Sequence, residues 1–258
     1  MSKTAVITGA SAGIGRRFAQ LLASKDYDLV LVARDENRLT EAAKELANEF
    51  GTKCEVLVAD LSSEGGCRIV EERVCDPTRP IEVLINNAGF GLRESFLKSE
   101  LGDEQQLLDV LVRTPMRLMH AVLPLMKERN SGIIINVSSV AGWIAGGTYS
   151  AAKSYLTVLS ESLHTELRST KVNVIALCPG FTHTEFHERG KMRMDALPKF
   201  MWLEADYVVS TAWSDALAGK PVSVPGGQYK ILSLLSRFAP RPLVRKVGTN
   251  VRARQRRK

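Results

Sequence analysis

The chain has 258 residues, 45% apolar and 24% charged, which suits a globular protein whose core needs neither disulfide nor metal. Its net charge of +7 is concentrated: Arg237, Arg241, Arg245, Lys246, Arg252, Arg254, Arg256, Arg257 and Lys258 are nine basic residues in a segment with no acidic one, so the other 236 residues sum to 7 − 9 = −2. The basic character therefore belongs to the tail, and no nucleic-acid partner is expected for the body of the chain.

The four cysteines, Cys54, Cys67, Cys75 and Cys178, show no CxxC spacing, so no metal site and no dithiol motif is expected. A strand signal begins at Thr4, with no cleavable leader and no apolar run long enough for a membrane span. A cytoplasmic location is the corresponding expectation.

In chain order, residues 4–8 read as a buried strand that runs into a glycine turn, and 14–24 as a helix with Ile14, Phe18, Leu21 and Leu22 at helical spacing. A second strand is predicted at 28–33. An amphipathic helix follows at 36–50, with Leu39, Ala42, Ala43, Leu46 and Phe50 on one face. Strands at 54–59, 81–86, 132–138 and 171–177 alternate with helices at about 63–75, 103–128 and 149–169. This alternation predicts an α/β fold, a single doubly wound domain with a parallel sheet covered on both faces. No internal repeat interrupts it. Around 182–206 the pattern becomes irregular, as a substrate lid would.

Thr8-Gly9-Ala10-Ser11-Ala12-Gly13-Ile14-Gly15 stands where the first strand meets the first helix. Gly9 permits a tight turn, Gly13 lets the backbone approach a pyrophosphate, and Gly15 lets helix and strand pack closely. Amide groups at the helix start would face the anion. The second strand ends at Ala33-Arg34-Asp35. An arginine there favours a 2′-phosphate and hence NADP(H), with Ser11 in support, whereas an acidic group would accept from the ribose of NAD. Asp35, one residue later, leaves that second reading open.

Tyr149 and Lys153 are four residues apart on a predicted helix and share one face. A phenol is too weak an acid for work near neutral pH, and a neighbouring ammonium stabilises its ionised form. Tyr149 is therefore the candidate acid/base for a carbonyl–alcohol interconversion. Tyr155 has no lysine four residues on.

TGxxxGxG resembles the glycine pattern of the short-chain dehydrogenases/reductases. Further motifs stand in that family's order: Asp60-Leu61, Asn86-Asn87-Ala88-Gly89, Tyr149 to Lys153, and Pro179-Gly180. The resemblance covers about residues 4–184. It implies a Rossmann domain with about seven strands, assigned to 1–236; the basic tail over 237–258 is separately expected to be partly disordered. It implies that Asp60 and Leu61 bracket the adenine and that Asn87, Ala88 and Gly89 line the adenosine side. Gly180, Thr182 and Thr184 would meet the nicotinamide end, and Lys153 would hold the nicotinamide ribose. Ser139 matches the serine that polarises the substrate oxygen, while Ser138 reads as structural. It also implies a homodimer or homotetramer built on the helices 103–128 and 149–169.

Two departures from that pattern stand out. Ser139 precedes Tyr149 by 10 residues instead of the usual 13 or so, which shortens the loop through Trp143 to Gly147. Leu111 occupies the place where many members carry an asparagine that holds a water behind the lysine. The apolar residues Phe90, Trp143, Phe181, Phe186, Met192, Met194, Leu197, Phe200, Met201 and Trp202 favour a hydrophobic carbonyl or alcohol over a sugar, with core packing as the alternative. His183 and His187 form no metal-ligand cluster. The chain is thus expected to be an NADP(H)-dependent oxidoreductase, the alternative being an NADP(H)-binding sensor with little turnover, which Leu111 favours. The segment from Tyr229 to Ala239 and the tail leave three readings open: packing on a subunit, peripheral membrane contact, or a solvated end.

Overall fold

Each long apolar run of the sequence becomes a parallel strand: β1 Lys3–Thr8, β2 Tyr27–Ala33, β3 Cys54–Val58, β4 Val83–Asn86, β5 Gly132–Val137, β6 Val172–Leu177 and a short β7 Val222–Ser223. The computed structural model describes residues 3–186, 198–240 and 242–245. The seven strands form one sheet in the order β3-β2-β1-β4-β5-β6-β7, and every pairing is parallel. β4 begins at Val83, later than the apolar run at 81 suggested, although Ile81 is itself buried.

Strand residues alternate between two cores because successive side chains point to opposite faces. Ile7, Leu31, Ile85, Val137 and Leu177 pack under α1 Gly13–Ala23, α2 Glu36–Phe50 and α7 Ala205–Leu217. Val6, Val32, Leu84, Ile134 and Val174 pack under α3 Glu64–Val74, α5 Thr114–Arg129 and α6 Thr148–Glu166. Each such side chain contributes about 1.5–3 kcal/mol by leaving water. The crossovers reverse direction between β1 and β4, which opens a crevice at the carboxyl ends of those strands.

The predicted helix at 103–128 is not one regular helix. It comprises α4 Leu101–Leu108, a π-helical turn Asp109–Arg113, and α5 from Thr114. Pro115 explains the change of pitch. It has no N–H to give the carbonyl of Leu111 in the α pattern, and its ring crowds that carbonyl. Helix α8 runs from Gly227 to Phe238 and so passes residue 236, and a further helical turn at 242–245 buries Val244. Residues 246–258 of the basic tail and 187–197 of the lid, with His187, Met192, Met194 and Leu197, lie outside the described residues.

Candidate active site

The glycine turn between β1 and α1 is held by groups around it. Gly15 lies so close to the carbonyl of Gly9 that no side chain fits there. Asn87 donates from its side-chain amide to the carbonyls of Thr8 (2.9 Å) and Gly9 (3.2 Å). The amides of Asn87 and Ala88 both donate to the hydroxyl of Thr8. The Asn87 side chain is therefore a brace for the turn.

α2 and α3 are capped by Asp35 and Ser63, but α1 begins at Ala12 with no side-chain cap and no acidic residue in its first turn. The amides of Gly13, Ile14 and Gly15 thus stand at a helix start that suits a pyrophosphate, and the half-buried Ser11 lies in the same turn. The turn fits a dinucleotide on this ground.

Arg34 is exposed at the end of β2, and Asp35 is committed elsewhere: its carboxylate accepts from the Arg38 amide at 3.0 Å. Such a cap is worth about 0.5–2 kcal/mol, which would be lost if Asp35 turned toward a ribose. Asp60 is exposed and accepts from the amide (3.0 Å) and hydroxyl (2.7 Å) of Ser62. Burial pushes its carboxyl up, but the Ser62 bonds and the Arg34 charge outweigh this and hold it below the usual value. Leu61 points inward and is buried in the core.

Lys153 lies at the centre of the site. It is fully buried, and burial pulls its ammonium down to about 8. Its Nζ donates to the Val137 carbonyl at 2.6 Å and lies 5.7 Å from the centre of the Tyr149 ring. Gly89 faces it: a Cβ there would be 3.8 Å from Lys153 Nζ and 2.8 Å from Leu111 Cδ2. The stretch Asn87 to Gly89 thus runs from the glycine turn to Lys153. A small cavity behind Lys153 is bounded by Asn86, Leu111, Thr114 and Pro115. Asn86 Oδ1 is buried without a hydrogen-bond partner among the described residues, so polar surface reaches this cavity despite Leu111.

Ser138 and Ser139 take different tasks. Ser138 is buried and its hydroxyl bonds the Lys153 carbonyl and Thr157. Ser139 is half-buried and its Oγ accepts from the Ala141 amide at 3.1 Å, which leaves its own proton to donate. The shortened loop folds as a 3₁₀ turn, Val140–Trp143, packed against α6.

Tyr149 is half-buried against Phe90 and Leu92, and the Phe186 ring is 6.0 Å away. A narrow cleft beside it is lined by Leu92, Phe96 and Leu107, with Glu94 and Glu104 also in its wall. The segment after β6 closes over the glycine turn. Thr184 lies against Gly13, whose φ of +54° no larger residue adopts readily. Thr182 is buried and bridges to Leu203, while His183 stacks on Trp202. Among the described residues no group of His, Cys, Asp or Glu could hold a metal ion.

The model of the short-chain dehydrogenases matches residues 3–194. The chain belongs to this family. The ketoacyl reductase HetN of Nostoc sp. is 30% identical over 242 residues, 92% of this chain and 82% of that protein. A short-chain dehydrogenase from Sphingobium yanoikuyae in complex with NADPH superposes with a TM-score of 0.83 at 32% identity, covering 91% of this chain and 94% of that one. The bulky-bulky ketone specific alcohol dehydrogenase from Comamonas testosteroni gives 0.78 at 30% identity, covering 91% and 92%.

Two features of this short-chain dehydrogenase carried no sequence signal. The buried Tyr229 of α8 accepts at its hydroxyl from the Phe181 amide (3.0 Å) and donates to the Met201 carbonyl, so one phenol ties Phe181 to Met201. Gly180 lies directly on the Tyr229 ring, and a Cβ there would run into it. Arg38 holds Glu185 through two nitrogens, at 3.0 and 2.7 Å, and joins α2 to the segment over the glycine turn.

Proposed function

We propose that this chain is an NADP(H)-dependent reductase or alcohol dehydrogenase that interconverts a hydrophobic ketone and its alcohol. The observation that carries this reading is the burial of Lys153 beside Tyr149 at the crevice where the sheet order reverses. A cation is costly to bury without a task, and perturbed groups of this kind cluster at reaction centres.

In this reading the amides of Gly13, Ile14 and Gly15 hold the pyrophosphate, with Gly9 and Ser11 in the turn. Arg34 meets the 2′-phosphate. Asp60 and Leu61 lie at the adenine, Ala88 and Gly89 line the groove with Asn87 bracing it, and Gly180, Thr182 and Thr184 close it at the nicotinamide end. The nicotinamide, when bound, supplies or takes the hydride. Tyr149 gives a proton to the carbonyl oxygen, or takes one from the alcohol, at its hydroxyl. Lys153 steadies the phenolate and holds the ribose. Ser139 donates a hydrogen bond from its hydroxyl to the substrate oxygen, its Oγ being oriented by the bond it accepts from the Ala141 amide.

The substrate class is supported by the apolar wall around Tyr149 and by the Phe186 ring 6.0 Å from it. The relatives named as ketoacyl reductase and bulky-ketone alcohol dehydrogenase favour it as well. A homo-oligomer in the cytoplasm is part of the same reading. Leu108, Val158 and Tyr155 on α4 and α6 are exposed, as residues covered by a second subunit would be in one chain alone.

The test is NADPH oxidation with a panel of bulky aryl and aliphatic ketones, wild type beside Tyr149→Phe. Turnover that vanishes in the variant, with NADPH affinity kept within about threefold, supports the assignment. Unchanged turnover, or loss of NADPH binding, refutes the role given to Tyr149. Tight NADPH binding without turnover on any ketone would favour the sensor reading.

A further inference from the structure

Beyond its buried Tyr229, helix α8 turns its apolar residues outward. On α8, Ile231, Leu234, Leu235 and Phe238 fall on one stripe at helical spacing, and they are 62%, 57%, 59% and 82% exposed. Ser233 and Ser236 are half-buried, and their hydroxyls bond back to the helix's own carbonyls. Leu232, Leu243 and Phe200 are exposed too, and the Gln228 side chain ties α8 to the Phe200 carbonyl. A helix that docks only on its own domain would bury its leucines and expose its serines. Tyr229 anchors α8 so firmly that the orientation is not a matter of loose attachment. A continuous apolar stripe of this kind marks a surface that something covers.

The charge of the neighbouring chain identifies what covers it. No acidic residue follows Asp215, while Lys220, Lys230 and the nine basic residues from Arg237 onward do. A second copy packed face to face would set two such stretches beside each other. An anionic lipid surface complements both features at once, taking the apolar stripe between headgroups and the basic segment by charge.

We propose that α8 lies flat on an anionic phospholipid membrane, with Ile231, Leu234, Leu235 and Phe238 inserted and the basic tail held at the headgroups. No helix among the described residues is long and apolar enough to cross a bilayer, so this is contact with one face. α8 packs against the 3₁₀ turn beside Ser139, and Tyr229 lies under Gly180, so the docked helix touches two segments of the candidate site. That bearing on the site rests on the function proposed above, whereas the docking does not.

The experiment is co-sedimentation of the full chain with phosphatidylcholine vesicles, with and without phosphatidylglycerol, beside a Leu235→Glu/Phe238→Glu variant. Both positions are exposed, so the variant keeps its fold and its NADPH binding, which fluorescence checks. Wild type is expected to partition at least about tenfold more onto the anionic vesicles, to lose most of this in high salt, and to lose it in the variant. Equal binding of wild type and variant would overturn the proposal, because the tail charge alone would then be the tether. Absence of wild-type binding would overturn it too. So would an oligomer that the variant dissociates and that ignores vesicles, since a second copy would then cover the stripe. None of these outcomes bears on the reductase reading, which stands or falls on NADPH binding and turnover.

Discussion

Lys153 donates a hydrogen bond from its Nζ to the main-chain carbonyl of Val137 at 2.6 Å, at the end of β5. The bond fixes the ammonium where Tyr149 and Gly89 meet, but burial without a carboxylate partner makes its charge costly. Its pKa in the folded chain, about 8, is below the ordinary lysine value of 10.5. Between these two values the unfolded chain binds a proton that the folded chain has lost, so this group's contribution to stability rises with pH across that window. Below about 8 the full cost of the buried charge is present. Lys153→Met removes the group. The melting temperature of the variant minus that of wild type should therefore fall as pH rises from about 7 to 10. A difference that stays flat would show that Lys153 is not held against its charge.

Gly180 and Tyr229 test how Phe181 and Met201 are anchored. Gly180→Ala places a methyl inside the Tyr229 ring, which must move and release Phe181 and Met201. Overpacking of this kind costs about 1–3 kcal/mol, measured as a lower urea midpoint. Tyr229→Phe keeps the ring and loses only its bonds, and should cost about 1 kcal/mol. If Gly180→Ala is neutral, the contact is looser than the structure shows.

The fold was legible because its signals are local. Buried strands such as 28–33 and the stripe on 36–50 show in the chain itself, and they appear as β2 and α2. The glycine turn, Tyr149 and Lys153 were legible for the same reason, each being a short motif. What was not legible depends on residues far apart. Arg38 meets Glu185 across 147 positions, and Tyr229 meets Phe181 across 48. Asp35 reads in the chain as a candidate ribose acceptor, and only the fold places its carboxylate on the Arg38 amide. The π turn at Asp109–Arg113 was hidden for another reason: apolar periodicity carries on through it, and only Pro115 marks the break.

Glu185 gives a prediction that separates stability from cofactor kinetics. It and Arg38 are each roughly two-fifths exposed, so the pair is worth at most about 1 kcal/mol. Glu185→Gln should lower the urea midpoint only slightly. It should nonetheless speed NADPH release several-fold in stopped-flow fluorescence, because the pair fastens the segment that lays Thr184 on Gly13. An unchanged release rate would mean that the segment is held by Tyr229 alone.

The central claim is that this crevice binds NADP(H) through Arg34, and titration of nicotinamide fluorescence with NADPH and NADH tests it most directly, wild type beside Arg34→Asp. Arg34 is exposed, so the exchange leaves the fold intact. The account predicts that wild type binds NADPH at least about tenfold more tightly than NADH and that Arg34→Asp erases the difference. Equal affinity for the two nucleotides in wild type, or a preference that survives in Arg34→Asp, would contradict it.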